Sequence, residues 1–345
     1  MHIYRACALI PEYSNNIQQE VFKMGKVNKN GKKISIIGAG NVGATIAYTF
    51  AVAGTCSEIV LIDINKEKAE GEAMDIRQGV SFCFPVKIYA GDYKDAEGSE
   101  IVVVTLGKAR KPGMTRLDLA QSNVDLIKEI MPGIAKAAPD AVYVVVSNPV
   151  DIITYAILKC TDLSPNQVIG SGTVLDSSRL RSLLADHVHL SSKSVHAYVF
   201  GEHGDSAMIP WSLTNIAGME MDEYCTDFCP RHNACGKIEI ANMLTDVRTA
   251  GAEVIKRKGA TFYAIALSVN KICDVILRDA HSILTVSVLT NGAYGINDVC
   301  LSLPYVVGGH GIERAITPPL LPGEIEQLHA SAKALKDVLS GIKFD

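Results

Sequence analysis

Three side chains in the middle of the sequence suit proton transfer beside a bound carboxylate. His203 lies between Gly201 and Gly204, and an imidazole whose ordinary pKa is near neutral can act as both acid and base. Arg179 follows Asp176 by three residues, so a helix would present both on one face, where a guanidinium could bind a carboxylate with two hydrogen bonds. The alternatives are a structural histidine, a helix-capping aspartate and a surface ion pair.

A glycine-rich turn near residue 40 predicts a dinucleotide site. Its predicted cofactor contacts are Gly38, Gly40, Asn41, Val42 and Gly43. Only glycine allows the tight turn and the close approach of a pyrophosphate to a helix N-terminus. Asp63, at the end of the next predicted strand, would accept hydrogen bonds from a ribose diol and repel a 2′-phosphate, which favours NAD over NADP. The alternative is a purely structural turn with a capping aspartate.

The elements that must position these residues alternate between strands and helices in the first half. Four continuous apolar runs predict buried parallel strands at 34–37, 59–62, 101–105 and 142–146. Apolar residues at steps of three and four predict an amphipathic helix over 117–134. We therefore expect an α/β fold with a Rossmann-type, doubly wound parallel sheet.

After about residue 150 the pattern changes to that of a mixed α+β domain. It predicts helices at 176–187, at 243–271 and from 324 onward, and strands at 195–200, 283–288 and 299–307. The expected organisation is an N-terminal arm (1–32), an NAD-binding domain (33–172) and a substrate domain (173–345).

Composition excludes several classes of function. The net charge of −4 provides no field for nucleic acid or an anionic membrane. No signal peptide or membrane-spanning run is expected. The nine scattered cysteines are interpreted as reduced thiols of a cytoplasmic protein. Cys225, Cys229, His232 and Cys235 cluster without the spacing of a zinc site, so no metal is predicted.

Several motifs together resemble the L-lactate dehydrogenases of the lactate/malate dehydrogenase family. They are the segments 111–113 (KPG), 115–119 (TRLDL), 147–151 (SNPVD), 172–179 (GTVLDSSR) and 201–206 (GEHGDS). The resemblance extends over residues 33–342. It implies an NAD-dependent oxidoreductase of small L-2-hydroxy acids, assembled as a homotetramer and working in glycolysis and fermentation.

The same resemblance implies a role for each site residue. Asp176 would orient the His203 ring, and Arg179 would bind the substrate carboxylate. Arg116 would polarise the substrate carbonyl, delivered by closure of the 108–114 loop. Asn148 would orient the substrate oxygen or the nicotinamide region.

Two residues give opposing indications of the substrate. Arg110 resembles the malate branch, since it would pair with the second carboxylate of oxaloacetate. Thr261 is typical of the lactate branch, and its spacing from Val254 places it on the same face of the predicted long helix. Lactate/pyruvate is favoured; malate/oxaloacetate, dual activity and a catalytically idle NAD-binding module remain alternatives.

Two basic residues match positions that bind fructose 1,6-bisphosphate in many bacterial relatives. Arg181 and His196 could pair with a phosphate at a subunit interface. A structural ion pair or a buried histidine is the alternative.

Overall fold

The computed structural model describes residues 32–108, 115–229 and 237–344. The described residues from Lys33 onward form one compact unit. The predicted N-terminal arm lies outside the described residues, apart from Lys32.

Helices and strands follow the chain in an alternating order through the first half. The described helices are α1 (Asn41–Ala53), α2 (Lys66–Gly79), α3 (Arg116–Ala137), α4 (Val150–Cys160), α5 (Val174–Val188), α6 (Met221–Asp227), α7 (Lys237–Lys258), α8 (Tyr263–Leu277) and α9 (Pro322–Ser340). The described strands are β1 (Lys33–Ile37), β2 (Glu58–Ile62), β3 (Lys87–Gly91), β4 (Ile101–Val104), β5 (Val142–Val145), β6 (Val168–Gly170), β7 (Val195–His196), β8 (Asn215–Ile216), β9 (Met219–Glu220), β10 (Ser282–Asn291), β11 (Asn297–Gly308) and β12 (Gly311–Ala315).

The main sheet has the order β12-β11-β10-β6-β5-β4-β1-β2-β3. Strands β1 to β6 pair in parallel. The side chains of β1, β2, β4, β5 and β6 are almost all buried because helices cover both faces, whereas the edge strand β3 buries only Ile88. The doubly wound parallel sheet predicted from the apolar runs is therefore confirmed, and its strand ends bring the glycine turn and the Asn148 segment to one edge.

The strands of the second half continue this sheet. β10 pairs antiparallel with β6 where Ser287 faces Gly170, and β11 and β12 follow, also antiparallel. One sheet therefore crosses the predicted boundary at residue 172.

Two predicted elements of the second half were wrong in extent. The predicted strand over 195–200 is a strand only at Val195–His196, and Phe200 then forms an isolated bridge with Met208. The predicted single helix over 243–271 is two helices, α7 and α8. The break follows Gly259, whose φ of +87° ends a right-handed helix.

Among the described residues, no helix is both long enough and apolar enough to cross a bilayer.

Candidate active site

The glycine turn joins β1 to α1 and has two kinds of glycine. Gly38 has a φ of +104°, and a Cβ on Gly43 would lie 1.9 Å from the carbonyl oxygen of Gly38. Both positions therefore require glycine for the backbone itself. A Cβ on Gly40 would meet nothing within 4 Å, so its surroundings are open to an approaching ligand.

Asp63 closes the other side of this turn from the end of β2. Its carboxylate accepts the backbone N–H of Ala39 at 2.7 Å and that of Asn65 at 2.8 Å. It also lines a cavity of about 240 Å³ together with Gly38 and Gly40. An uncapped helix start, open space and an acceptor carboxylate together fit a dinucleotide, with its pyrophosphate at the N-terminus of α1.

Asp176 brings together the two other residues of the proposed proton-transfer site. It lies in the first turn of α5. Its Oδ2 is 2.5 Å from Nδ1 of His203, and its Oδ1 accepts a hydrogen bond from Nη1 of Arg179 at 2.9 Å. The side chain of Asp176 is only 7% exposed, so both contacts are shielded from bulk water.

The chain folds back sharply to place His203 opposite α5. Gly201 has a φ of +93°, and it exchanges two backbone hydrogen bonds with Ser302 of β11. A Cβ on Gly201 would lie 2.6 Å from Oγ of Ser331 in α9. Glycine is therefore required for this turn as well, and β11 and α9 hold it in place.

Burial and charge act in opposite directions on this pair. Burial favours the neutral imidazole, but the charge of Asp176 and its hydrogen bond outweigh burial, so the pKa of His203 is raised. Burial also opposes ionisation of Asp176, and His203 and Arg179 together outweigh that penalty, so its pKa is lowered. The pair therefore favours an imidazolium beside a carboxylate.

One cavity of about 300 Å³ unites the predicted site. Its lining includes six residues predicted from the sequence, namely Val42 of the glycine turn, Asn148, Asp176, Arg179, His203 and Thr261. The proposed proton-transfer residues therefore open onto a space that Val42 of the predicted cofactor turn also lines, whereas Gly38, Gly40 and Asp63 line the separate cavity of about 240 Å³. Had His203 and Arg179 faced different cavities, the predicted chemistry would have failed.

Thr261 reaches this cavity by a different route from the one predicted. It lies in the connection between α7 and α8 rather than on the face of a continuous helix. The predicted position of Thr261 on a helix face was therefore wrong, although the residue does line the cavity.

Arg110 and most of the predicted loop, residues 109–114, lie outside the described residues. Arg116 begins α3, but its side chain also lies outside the described part. The start of this helix is fixed by a capping box, in which Thr115 and Asp118 each accept the other's backbone N–H.

Three polar residues that the sequence analysis did not assign contact the site. Asn123 of α3 is buried and joins two segments, since its Oδ1 accepts the N–H of Lys108 and its Nδ2 donates to the carbonyl of Asn148. Arg248 of α7 lines the cavity and donates to the carbonyl of Ala207. Asp151 holds the backbone of His203 at 2.9 Å. Two of these residues had a signal in the sequence. Asn123 is a polar residue within an otherwise apolar helix face, and Asp151 belongs to the SNPVD motif.

The two predicted effector residues lie on separate elements. Arg181 on α5 donates from Nε to the carbonyl of Ser177 at 3.3 Å. His196 is exposed on the short strand β7, so it is not a buried histidine.

Comparison with known proteins gives matches over both halves of the chain. Residues 32–170 match the family model described as lactate/malate dehydrogenase, NAD binding domain. Residues 173–343 match the model described as lactate/malate dehydrogenase, alpha/beta C-terminal domain.

Individual relatives extend this similarity. The chain is 49% identical over 314 residues to L-lactate dehydrogenase 1 of Clostridium acetobutylicum, which covers 91% of this chain and 99% of that protein. It is 49% identical over 312 residues to the L-lactate dehydrogenase of Acetivibrio thermocellus, covering 90% and 98%. Among solved structures, minor L-lactate dehydrogenase from Enterococcus mundtii superposes with a TM-score of 0.87 at 36% identity, covering 91% of this chain and 99% of that one.

Proposed function

This chain belongs to the lactate/malate dehydrogenase family, and on that premise we propose that it interconverts (S)-lactate and pyruvate with NAD. The observation that carries the proposal is the contact of Asp176 with both His203 and Arg179, in a cavity that Val42 of the glycine turn also lines.

His203 is the proposed proton donor and acceptor. Its Nδ1 is engaged by Asp176, which leaves Nε2 to exchange a proton with the substrate oxygen. The neighbouring carboxylate stabilises the imidazolium, so the ring can hold a proton until the substrate oxygen takes it. When bound, NAD supplies the hydride chemistry.

Arg179 is the proposed anchor of the substrate carboxylate. One nitrogen of its guanidinium pairs with Asp176, and a Cβ on Gly251 would lie 3.8 Å from the other terminal nitrogen, Nη2, on the cavity side. The planar group can therefore join the substrate to the acid that orients His203. Arg116 and Asn148 are the proposed polarising and orienting groups of the same substrate.

The cofactor contacts and the division of the chain belong to the same proposal. We assign NAD to the turn from Gly38 to Gly43 and its ribose to Asp63, with 33–172 as the cofactor domain and 173–345 as the substrate domain. The open space at Gly40 supports this assignment.

Oxaloacetate reduction is the second candidate, alone or beside pyruvate reduction. Arg110 favours it because a guanidinium closed over pyruvate would lack a partner, whereas oxaloacetate supplies a second carboxylate. Thr261, which lines the cavity, supports pyruvate instead. An idle NAD-binding module would have no use for the Asp176–His203–Arg179 contacts.

The test is NADH oxidation with each acid, followed at fixed pH and over a range of acid concentrations. We expect kcat/KM for pyruvate to exceed that for oxaloacetate. The reverse order would assign the chain to malate chemistry. Tight NADH binding with no oxidation by either acid would instead favour the idle module.

A homotetramer, a sugar-phosphate effector and a cytoplasmic role in fermentation complete the proposal. Apolar side chains exposed on α1 and α8 support assembly: Tyr48, Val52, Tyr263 and Leu267 are 47–67% exposed. Light scattering after gel filtration would give the mass. Fructose 1,6-bisphosphate should lower the KM for pyruvate if Arg181 and His196 bind it; an unchanged KM and mass would contradict this.

A further inference from the structure

A second buried carboxylate lies behind the turn that carries His203. Asp151, in the first turn of α4, is 3% exposed. Its Oδ2 accepts the backbone N–H of His203 at 2.9 Å, and its Oδ1 accepts the hydroxyl of Ser287 on β10 at 2.5 Å. A single side chain thus ties the His203 turn to a helix and to the central sheet.

The charge of this carboxylate is costly where it lies. Both of its hydrogen-bond donors are neutral, and burial raises the pKa of Asp151 to about 6 although both hydrogen bonds lower it. An asparagine could accept the same backbone N–H at no electrostatic cost. The ionisable acid therefore calls for an explanation beyond anchoring the turn.

Several ionisable groups surround Asp151 and His203, and they show which group the charge of Asp151 affects. Asp176 and Arg179 face His203 from α5, Glu202 lies within the turn, and Cys300 faces Asp151 from β11. Within this set the negative charge of Asp151 raises the pKa of His203, in addition to the larger effect of Asp176.

We propose that Asp151 is a positioning residue for the reaction: it anchors the backbone of His203 and places a second negative charge close enough to act on the imidazole. This inference rests on the proposed function, in which His203 exchanges the proton. The consequence is that two acids jointly set how firmly His203 holds its proton. Asp176 acts through the ring nitrogen, and Asp151 acts only through its charge and the main chain.

The test is Asp151→Asn, assayed in both directions across pH. Pyruvate reduction needs protonated His203 and declines as pH rises through its pKa, whereas lactate oxidation needs the neutral ring and increases there. Without the charge of Asp151 the pKa of His203 falls, so both midpoints should move down by roughly half to one pH unit. Above the midpoint, reduction should weaken by roughly three- to tenfold relative to the unsubstituted chain. Below about pH 6, where Asp151 itself takes up a proton, the two proteins should converge.

Ser331→Ala is the matched control, because it loosens the same turn through an uncharged group. The hydroxyl of Ser331 accepts the backbone N–H of Glu202 at 2.8 Å. Its loss should slow both directions together and leave both midpoints in place. If Asp151→Asn also leaves both midpoints unchanged, Asp151 is only a structural anchor and the inference is overturned.

A measurement on the unsubstituted chain keeps the test available if Asp151→Asn does not fold. With ¹⁵N-labelled histidine, the His203 signal, identified from its absence in His203→Gln, should show a second inflection near pH 6 as Asp151 is protonated. A single inflection would contradict the proposal. Because this readout needs no turnover, it is separable from the proposed function, which fails if the unsubstituted chain oxidises NADH with neither acid.

Discussion

The proposed cofactor turn (38–43) and the proposed catalytic turn (201–206) are built by different means. The proposed cofactor turn depends on its backbone: a Cβ added at Gly43 would meet atoms of Gly38 and Thr105, and the N–H groups at the start of α1 are the proposed phosphate ligands. The proposed catalytic turn depends on charges from distant segments, since Asp176 is 27 residues and Asp151 is 52 residues from His203 along the sequence. The first turn therefore depends mainly on steric fit and the second mainly on electrostatics. Substitutions in one turn should leave the property that depends on the other turn unchanged.

His203→Ala should produce the largest effect and separate the two turns most clearly. Loss of the proton donor should lower kcat for pyruvate reduction by about 10³-fold, while the NADH dissociation constant stays unchanged. Stopped-flow turnover and NADH fluorescence titration measure the two quantities. His310→Ala, at an exposed turn between β11 and β12, is the control and should change neither. Loss of NADH binding in His203→Ala would show that the two turns are not independent.

Arg179→Lys tests whether the catalytic turn depends on the shape of its cation as well as on charge. A lysine ammonium keeps the charge but cannot serve Asp176 and a substrate carboxylate with one planar group. Loss of a charged hydrogen bond should raise KM for pyruvate by about 10- to 100-fold, with a smaller change in kcat. Steady-state kinetics at saturating NADH gives both constants. An unchanged KM would remove Arg179 from the substrate site.

Gly43→Ala and Gly40→Ala form a matched pair for the cofactor turn. The methyl group that Gly43→Ala adds would overlap the carbonyl oxygen of Gly38, so the backbone of the turn must shift. Overpacking should cost about 1–3 kcal/mol in the free energy of unfolding. Gly40→Ala meets open space, so it should leave that free energy unchanged without cofactor and weaken NADH binding. Urea unfolding without cofactor measures the first effect and fluorescence titration the second. Equal stabilities for the two variants would contradict the steric argument.

Arg110→Gln should have the smallest effect. It tests whether a charge near the substrate decides between pyruvate and oxaloacetate. Removing a cation that lacks a partner over pyruvate, but has one over oxaloacetate, should move the ratio of the two kcat/KM values toward pyruvate by about tenfold. Competition assays with both acids measure the ratio directly. If the ratio does not move, Arg110 does not contact the substrate.

Local sequence was sufficient for four strands of the cofactor half because they are continuous buried apolar runs. β3 and β6 were not predicted, since β3 buries only Ile88 and β6 has only three residues. Apolar runs predicted β1, β2, β4 and β5 within a residue or two at each end. Two further predictions that rested on helical periodicity were wrong. Gly259 divides the predicted long helix, and Leu117, predicted on the buried face of α3, is 41% exposed.

The sequence predicted which residues form the candidate site, but it did not predict the residues that hold them in position. Asp176, Arg179 and His203 follow from residue types and motifs. Asp151 and Ser287 were not identified, because their contact depends on how α4 and β10 pack together, which no local pattern encodes. Arg110, Arg116 as a side chain, and the His232 and Cys235 positions of the cysteine cluster stay predictions, since they lie outside the described residues.

The junction of β6 with β10 has a thermodynamic consequence. Ser287 pairs with Gly170 there, and its hydroxyl also donates a hydrogen bond to Asp151. Unfolding of either half would therefore remove hydrogen bonds from the other half. Calorimetry of the intact chain should therefore record one cooperative transition rather than two. A fragment ending at residue 172 would expose the β6 edge to water and to pairing with other copies, and we expect it to aggregate instead of folding as an isolated nucleotide-binding module.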